Sequence, residues 1–149
     1  MILKSLLDLN VLIALTDPEH KHHEMARNWF TSSSRERLGI CPLTEAGFLR
    51  VTTNSAFHPG PRTLEQAIAI LQVLKGRDDY WYCPIDESWV THTARFASRV
   101  RGHQQVSDAY LLGLAMKENC MLVTFDKGIK YMAGAEFSHN VRILDSSQA

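Results

Sequence analysis

The chain has 149 residues, 45% hydrophobic and 21% charged, with sixteen basic side chains balanced by sixteen acidic ones. A chain of this size buries about two thirds of its unfolded surface and builds its own core, which excludes a disordered tail and leaves no support for a collagen-like or coiled-coil protein. Zero formal charge also argues against coating nucleic acid by bulk attraction, so any phosphate-bearing substrate has to be held by a local site.

Residues 2–7 predict a short apolar strand, and residues 10–15 continue apolar at helical spacing until Asp17-Pro18 forces a turn. Residues 19–32 predict a helix with Met25, Ala26, Trp29 and Phe30 on one side. Residues 37–41 predict a second strand, ended by Pro42, which suits the start of a helix over 43–53. The Pro59-Gly60-Pro61 segment marks a loop over 54–62, and residues 63–74 form an amphipathic pattern closed by Gly76. Residues 80–84 predict a third strand and 87–100 a helix. Ser107 is expected to cap an apolar helix through Met116. A fourth strand over 121–125, a short helix over 127–132 and a last strand over 141–144 complete the pattern. Strands separated by helices of ten or more residues require parallel crossovers, so the expected fold is α/β, a three-layer α/β/α sandwich with a mostly parallel sheet in one domain over 1–149.

Cys41, Cys83 and Cys120 stand far apart with no C-x-x-C pair, so buried free thiols in a reducing cytosol are expected. The apolar start is broken by Asp8 and Asn10, and no apolar run spans a bilayer, so the expected setting is soluble and cytoplasmic. His20, His22 and His23 lack further ligands at zinc spacing and read as a solvated helix start. No G-x-S-x-G, Walker loop or G-x-G-x-x-G occurs.

Four acids have unusual surroundings. Asp8 and Asp126 each follow a predicted strand and precede a helix, at the carboxyl edge of the sheet. Glu45 lies in the first turn after the second strand, with Phe48 and Leu49 three and four positions on. Asp108 begins a helix whose next turns carry Leu111, Leu112 and Ala115, with no basic residue in the neighbouring turn. Each acid also has a plainer role, as a helix cap or a complement to the helix dipole. Together they fall where an open parallel sheet binds ligands. Two carboxylates about 4 Å apart repel by roughly 4 kcal/mol at an effective dielectric near 20, and a cation removes that cost. Oxygen-only ligands favour Mg²⁺ or Mn²⁺, and the chemistry indicated is phosphodiester hydrolysis. Asn10 and Thr124 are candidates to orient a carboxylate from behind.

The stretches Leu7-Asp8-Leu9-Asn10-Val11-Leu12-Ile13-Ala14-Leu15, Thr44-Glu45-Ala46-Gly47-Phe48-Leu49-Arg50, Val106-Ser107-Asp108-Ala109-Tyr110-Leu111-Leu112 and Leu122-Val123-Thr124-Phe125-Asp126 resemble, in order, the PIN-domain family and within it the VapC-type ribonuclease toxins of bacterial toxin–antitoxin pairs. The resemblance implies a Mg²⁺- or Mn²⁺-dependent endoribonuclease, a homodimer, and a cognate antitoxin that blocks the cleft. It places the catalytic, metal-ligand role on Asp8, Glu45, Asp108 and Asp126. Lys127 and Gly128 stand where some relatives carry a further acid, which argues against a second metal.

RNA contacts are assigned to Arg50 and Arg101, while Arg95 and Arg99 read as a solvated helix face. Trp29, Phe30, Trp81 and Trp89 sit at spacings more usual for core than for base stacking. Two rival readings use the same acidic scaffold. A phosphatase of the haloacid-dehalogenase type needs Asp-x-Asp after a strand, and the second position here is Asn10. A receiver-like binding module needs a phosphoacceptor after the central strand, and residues 80–84 end without one.

Overall fold

The structure is a computed structural model that describes residues 3–32 and 36–145. In chain order the elements are β1 (Lys4–Leu7), α1 (Leu9–Thr16), α2 (His23–Ser32), β2 (Arg37–Gly39), α3 (Pro42–Thr52), α4 (Leu64–Lys75), α5 (Trp89–Ala94), α6 (Val106–Lys117), β3 (Met121–Thr124), α7 (Lys127–Phe137) and β4 (Val141–Ile143). The four strands form one sheet in the order β2-β1-β3-β4, every neighbouring pair parallel.

Alternation along the strands builds the layers. Leu6 and its partner Leu122 point to one face and join a core with α6 and α7 residues such as Tyr110, Leu112, Ile129 and Met132. Leu7 and its partner Val123 point to the other, packing with Leu12 of α1, Trp29 of α2, Phe48 of α3 and Leu71 of α4. Strands covered on both faces have no polar side, which is why they read as continuous apolar runs. The result is an α/β/α sandwich. From β1 the chain moves first to β2 on one side and later to β3 on the other. The two strands flanking that reversal, β1 and β3, open a crevice at their carboxyl ends.

The predicted strand over 80–84 is not one. Tyr80 makes an isolated bridge to Leu38, and Trp81 N–H donates to the Leu38 carbonyl at 2.9 Å before the chain leaves the sheet. Trp81 explains this: its indole N–H donates to the Ser5 carbonyl at 3.1 Å, and its ring lies so close over Gly39 that a Cβ there would stand 2.6 Å from it. The predicted helix over 87–100 is also shorter. Ser88 caps α5, and after Ala94 the chain breaks into a 3-10 turn at Ala97–Arg99. Buried Phe96 packs edge-to-face on Phe137, and Arg99 donates to the Met132 and Ala133 carbonyls at 2.9 and 3.2 Å, contacts that no local periodicity encodes. Arg99 is exposed, as its helix-face reading expects, and is also a structural tie. It braces α7 beside Gly134, whose φ of 66° breaks the helix that sequence ends at 132.

Helix α2 begins at His23, later than predicted, because residues 18–22 form turns in which His20 Nδ1 accepts from His22 N–H. The three cysteines are buried and free. Trp29 and Trp81 are buried, Trp89 stacks on Tyr110 with ring centroids 4.1 Å apart, and Phe30 lies beneath Arg77, so these aromatics serve packing. Among the described residues no helix is long and apolar enough to cross a membrane. Residue 2 of the first predicted strand lies outside the described residues.

Candidate active site

Asp8 directly follows β1, where the strand's last pairing, Asp8 N–H to the Val123 carbonyl at 3.0 Å, gives way to α1. It caps that helix: Oδ1 accepts from Leu9 N–H at 2.8 Å. Oδ2 accepts from the Thr124 hydroxyl at 2.7 Å. The same hydroxyl oxygen accepts from Asp126 N–H at 3.1 Å, so fully buried Thr124 ties the two strand-end aspartates together. Asp126 in turn caps α7, Oδ1 accepting from Gly128 N–H at 2.8 Å. Capping satisfies helix N–H groups and aims both carboxylates at the crevice.

Asp108 arrives from the other side. A 3-10 turn at His103–Gln105 runs straight into α6, whose N-cap is Gln105 with no side-chain cap. Ser107, the predicted cap, instead lies inside the first turn and faces the crevice with Asp108. The space between these elements is a cavity of about 540 Å³ lined by Asp8, Asn10, Arg50, Gln104, Asp108 and Asp126 among others. Burial pushes the Asp108 carboxyl up to about 7, with the charges of Asp8 and then Asp126 adding to the effect. Asp8 is 8% exposed. Burial raises its pKa above the ordinary carboxylate range, although the Thr124 and Leu9 hydrogen bonds pull it down, and Asp126 adds a smaller upward push. Three carboxylates thus share one cavity, and Asp8 and Asp108 resist ionising there.

Glu45 is not among them. Leu43, Gly47 and Arg50 turn one face of α3 to the cavity, and Glu45 is displaced by about 200° around the helix axis from both Leu43 and Gly47. Its Oε1 accepts from Lys75 Nζ of α4 at 2.9 Å, and neither Asp8 nor Asp108 feels its charge. The expected four-acid cluster is therefore corrected to three aspartates, with Glu45 in a partly exposed ion pair outside. Gly47 takes the cavity-facing place on α3, close enough to α1 that a Cβ would stand 3.0 Å from Leu9 Cδ2.

Asn10 lines the cavity from the exposed side of α1, and Arg50 lines it from α3. Arg101 does not reach it; it lines an adjoining groove, its backbone N–H donating to Gln105 Oε1 at 2.7 Å. Sequence reasoning missed Gln104 and Gln105, which carry no recognisable signal and gain their place only from the turn before α6. A separate cavity at the opposite end of the strands sets Lys4 beside Glu36 and Glu118, so charge of one sign does not accumulate there.

The donor set is carboxylate oxygen, suited to a hard cation such as Mg²⁺ or Mn²⁺. Among the described residues no three His, Cys, Asp or Glu side chains are gathered closely enough to hold a metal ion in their present positions. Such ions keep several waters, so three carboxylates around one open cavity fit them without a closed cage. Asp8, Asp108 and Asp126 are the residues that would hold one.

Comparison with known proteins bears on the same region. The family model described as "PIN domain" matches residues 5–135. Ribonuclease VapC38 of Mycobacterium tuberculosis (strain ATCC 25618 / H37Rv) is 38% identical over 129 residues, covering 87% of this chain and 89% of the relative. Ribonuclease VapC44 of Mycobacterium tuberculosis (strain CDC 1551 / Oshkosh) is 36% identical over 141 residues, covering 92% and 97%. In fold, the chain is similar to one in the crystal structure of VapBC2 from Rickettsia felis bound to a DNA fragment from their promoter, with a TM-score of 0.67, 13% identity, and 96% of this chain and 100% of that one covered. The chain belongs to the PIN domain family and stands among its VapC members.

Proposed function

We propose that this protein is a divalent-cation-dependent endoribonuclease, the toxin of a toxin–antitoxin pair, that hydrolyses RNA phosphodiester bonds. The observation that carries the proposal is the accumulation of Asp8, Asp108 and Asp126 in one cavity, where Asp126 raises the cost of charging Asp8 and both raise that of charging Asp108, with no lysine or arginine among the charges that set the Asp8 and Asp108 pKa values. A fold does not carry such a cost without return; a bound cation offsets it. The name ribonuclease on relatives at 36–38% identity supports RNA as the substrate.

Thr124 and the Leu9 N–H fix the Asp8 carboxylate, so its remaining lone pairs are aimed before anything binds. Asp126 has Oδ1 tied to Gly128 N–H and Asp108 enters from α6, so the three carboxylates come from three different elements. Mg²⁺ or Mn²⁺ held there supplies stabilisation of negative charge developing on the phosphoryl oxygens and a water of lowered pKa. Arg50, exposed on the α3 wall, would contact a phosphate of the strand, and Asn10, lining the same cavity, would hydrogen-bond that group or a water beside it. Ser107 and Gln104 supply further neutral donors at the rim.

A cognate antitoxin that covers this cavity belongs to the proposal, supported by the likeness in fold to a VapBC2 chain. Homodimer formation and a cytoplasmic setting rest on the family alone. The test is cleavage of a mixed-sequence RNA pool with Mg²⁺ or Mn²⁺ and with excess EDTA, for the wild type and for Asp8→Asn and Asp108→Asn. Cleavage that needs the cation and vanishes in both variants, each still folded by circular dichroism, is expected; undiminished cleavage in EDTA would overturn the proposal.

A further inference from the structure

Beside the acid cavity lies a second groove, of about 420 Å³. One wall is Arg99, Arg101 and Gln105, from the chain leading into α6; the other is Gly128, Tyr131 and Met132 of α7. The two depressions adjoin. Gln104 lines the cavity and Gln105 the groove, while Gly128 lines the groove and donates its N–H to the cavity's Asp126. A Cβ on Gly128 would stand 3.4 Å from Gln105 Nε2 and 3.0 Å from Asp126 Oδ1, so Gly128 sits between the groove wall and the cavity's Asp126.

The groove differs from the cavity in charge: both of its charged residues are arginines, and no acid lines it. Arg99 is held in place by the Met132 and Ala133 carbonyls, and Arg101 is exposed. Tyr131 is 86% exposed, a large ring that contributes nothing to either core cluster. An exposed aromatic alone is unremarked in proteins, and so is a surface arginine. Together, in a groove beside the carboxylate cavity, they form the pairing that single-stranded nucleic acid requires: cations tracking the phosphates and an aromatic face on which a base stacks.

We infer that this groove holds single-stranded RNA on one side of the bond to be cut, with Arg101 at a backbone phosphate and Tyr131 as the platform for an unpaired base. The inference rests on the nuclease reading for its choice of ligand. It assigns the site a preference for single strands, because a base inside a duplex cannot turn out onto Tyr131.

The probe is a fluorescein-labelled, mixed-sequence 12-nucleotide single-stranded RNA, with its duplex as comparison. Binding is read by anisotropy in EDTA, a gel verifying that the probe stays intact. Tyr131→Ala weakens single-strand binding about tenfold, Tyr131→Phe restores it, and duplex binding is weaker than single-strand binding in the wild type. Arg101→Ala weakens binding and lowers the slope of log K against log[salt] by about 0.7. Thermal unfolding of each variant stays at the wild-type midpoint, since both side chains are exposed. Tyr131→Ala binding within twofold of wild type, or duplex bound as tightly as single strand, would overturn the inference. The same proteins assayed for cleavage separate the two proposals. Cation-dependent cleavage with no effect of Tyr131→Ala on binding sinks the groove alone. Tyr131-dependent binding without cleavage sinks the nuclease and leaves the groove standing.

Discussion

Asp108→Asn is the substitution in which stability and activity should move in opposite directions. In the metal-free protein the Asp108 carboxyl is pushed from 3.8 to about 7, first by burial and then by Asp8 and Asp126. Three units at about 1.4 kcal/mol each give roughly 4 kcal/mol for a dry site; Asp108 is only half-buried, and solvent screening reduces this to about 1–2 kcal/mol. The sign follows from proton binding. A carboxyl with a raised folded-state pKa holds its proton more tightly in the native chain than in the unfolded one, so native stability falls as pH rises from about 4 to about 7. Above that window the wild type carries the full penalty and the asparagine variant does not. In EDTA at pH 8 the variant should therefore unfold about 3–6 °C higher than the wild type, and the gap should close toward pH 4. Adding Mn²⁺ at pH 8 should raise the wild-type midpoint far more than that of the variant. Scanning fluorimetry at the two pH values gives both comparisons. An Asp108→Asn protein that melts at or below the wild-type temperature at pH 8 would refute the reasoning, because Asp108 would then be a structural acid.

Thr124→Val removes the donor to Asp8 and the acceptor for Asp126 N–H, and should cost about 1–3 kcal/mol in urea denaturation together with most of the cleavage rate, while Thr124→Ser keeps both. Glu45→Gln breaks only a partly exposed pair with Lys75; it should cost less than about 1 kcal/mol and leave cleavage within threefold of wild type, whereas Asp8→Asn should lose at least about a hundredfold, as expected for a lost metal ligand. Arg99→Ala leaves the Met132 and Ala133 carbonyls without their donor, and should destabilise by about 1–3 kcal/mol with hydrogen exchange accelerated in α7 before any other helix. Gly113→Ala would set a Cβ 2.6 Å from the His92 carbonyl oxygen, a backbone contact that cannot yield without moving α5, and should cost about 1–3 kcal/mol by urea denaturation.

Much of the architecture was legible because the strands lie between helices and carry apolar side chains to both faces. Asp8 and Asp126 were readable for a local reason: each follows a strand and caps a helix, so its cap partner, Leu9 or Gly128 N–H, lies within two positions, although the Val123 pairing and the Thr124 bridge to Asp8 are distant in the chain. Asp108 was readable because no base stands near it in the chain and none is among the charges that shift it. Glu45 was misread. Phe48 and Leu49 made its face of α3 look like core, but the helix turns Gly47 to the cavity and Glu45 toward Lys75, thirty residues on, a partner that no local spacing reveals. Residues 87–100 failed in the same way, since Phe96 and Arg99 answer to Phe137 and the broken end of α7. Arg101 was assigned an RNA contact from the sequence, but its pairing with Tyr131 was invisible for a related reason: the groove exists only where two segments thirty residues apart come together.

The most direct test of the central claim is an anomalous difference map from a crystal soaked in Mn²⁺. One strong peak in the cavity, within coordination distance of Asp8, Asp108 and Asp126, with Glu45 still paired to Lys75, is the predicted result. A peak that draws Glu45 into its ligand shell, or no peak between the three aspartates at saturating Mn²⁺, would contradict it.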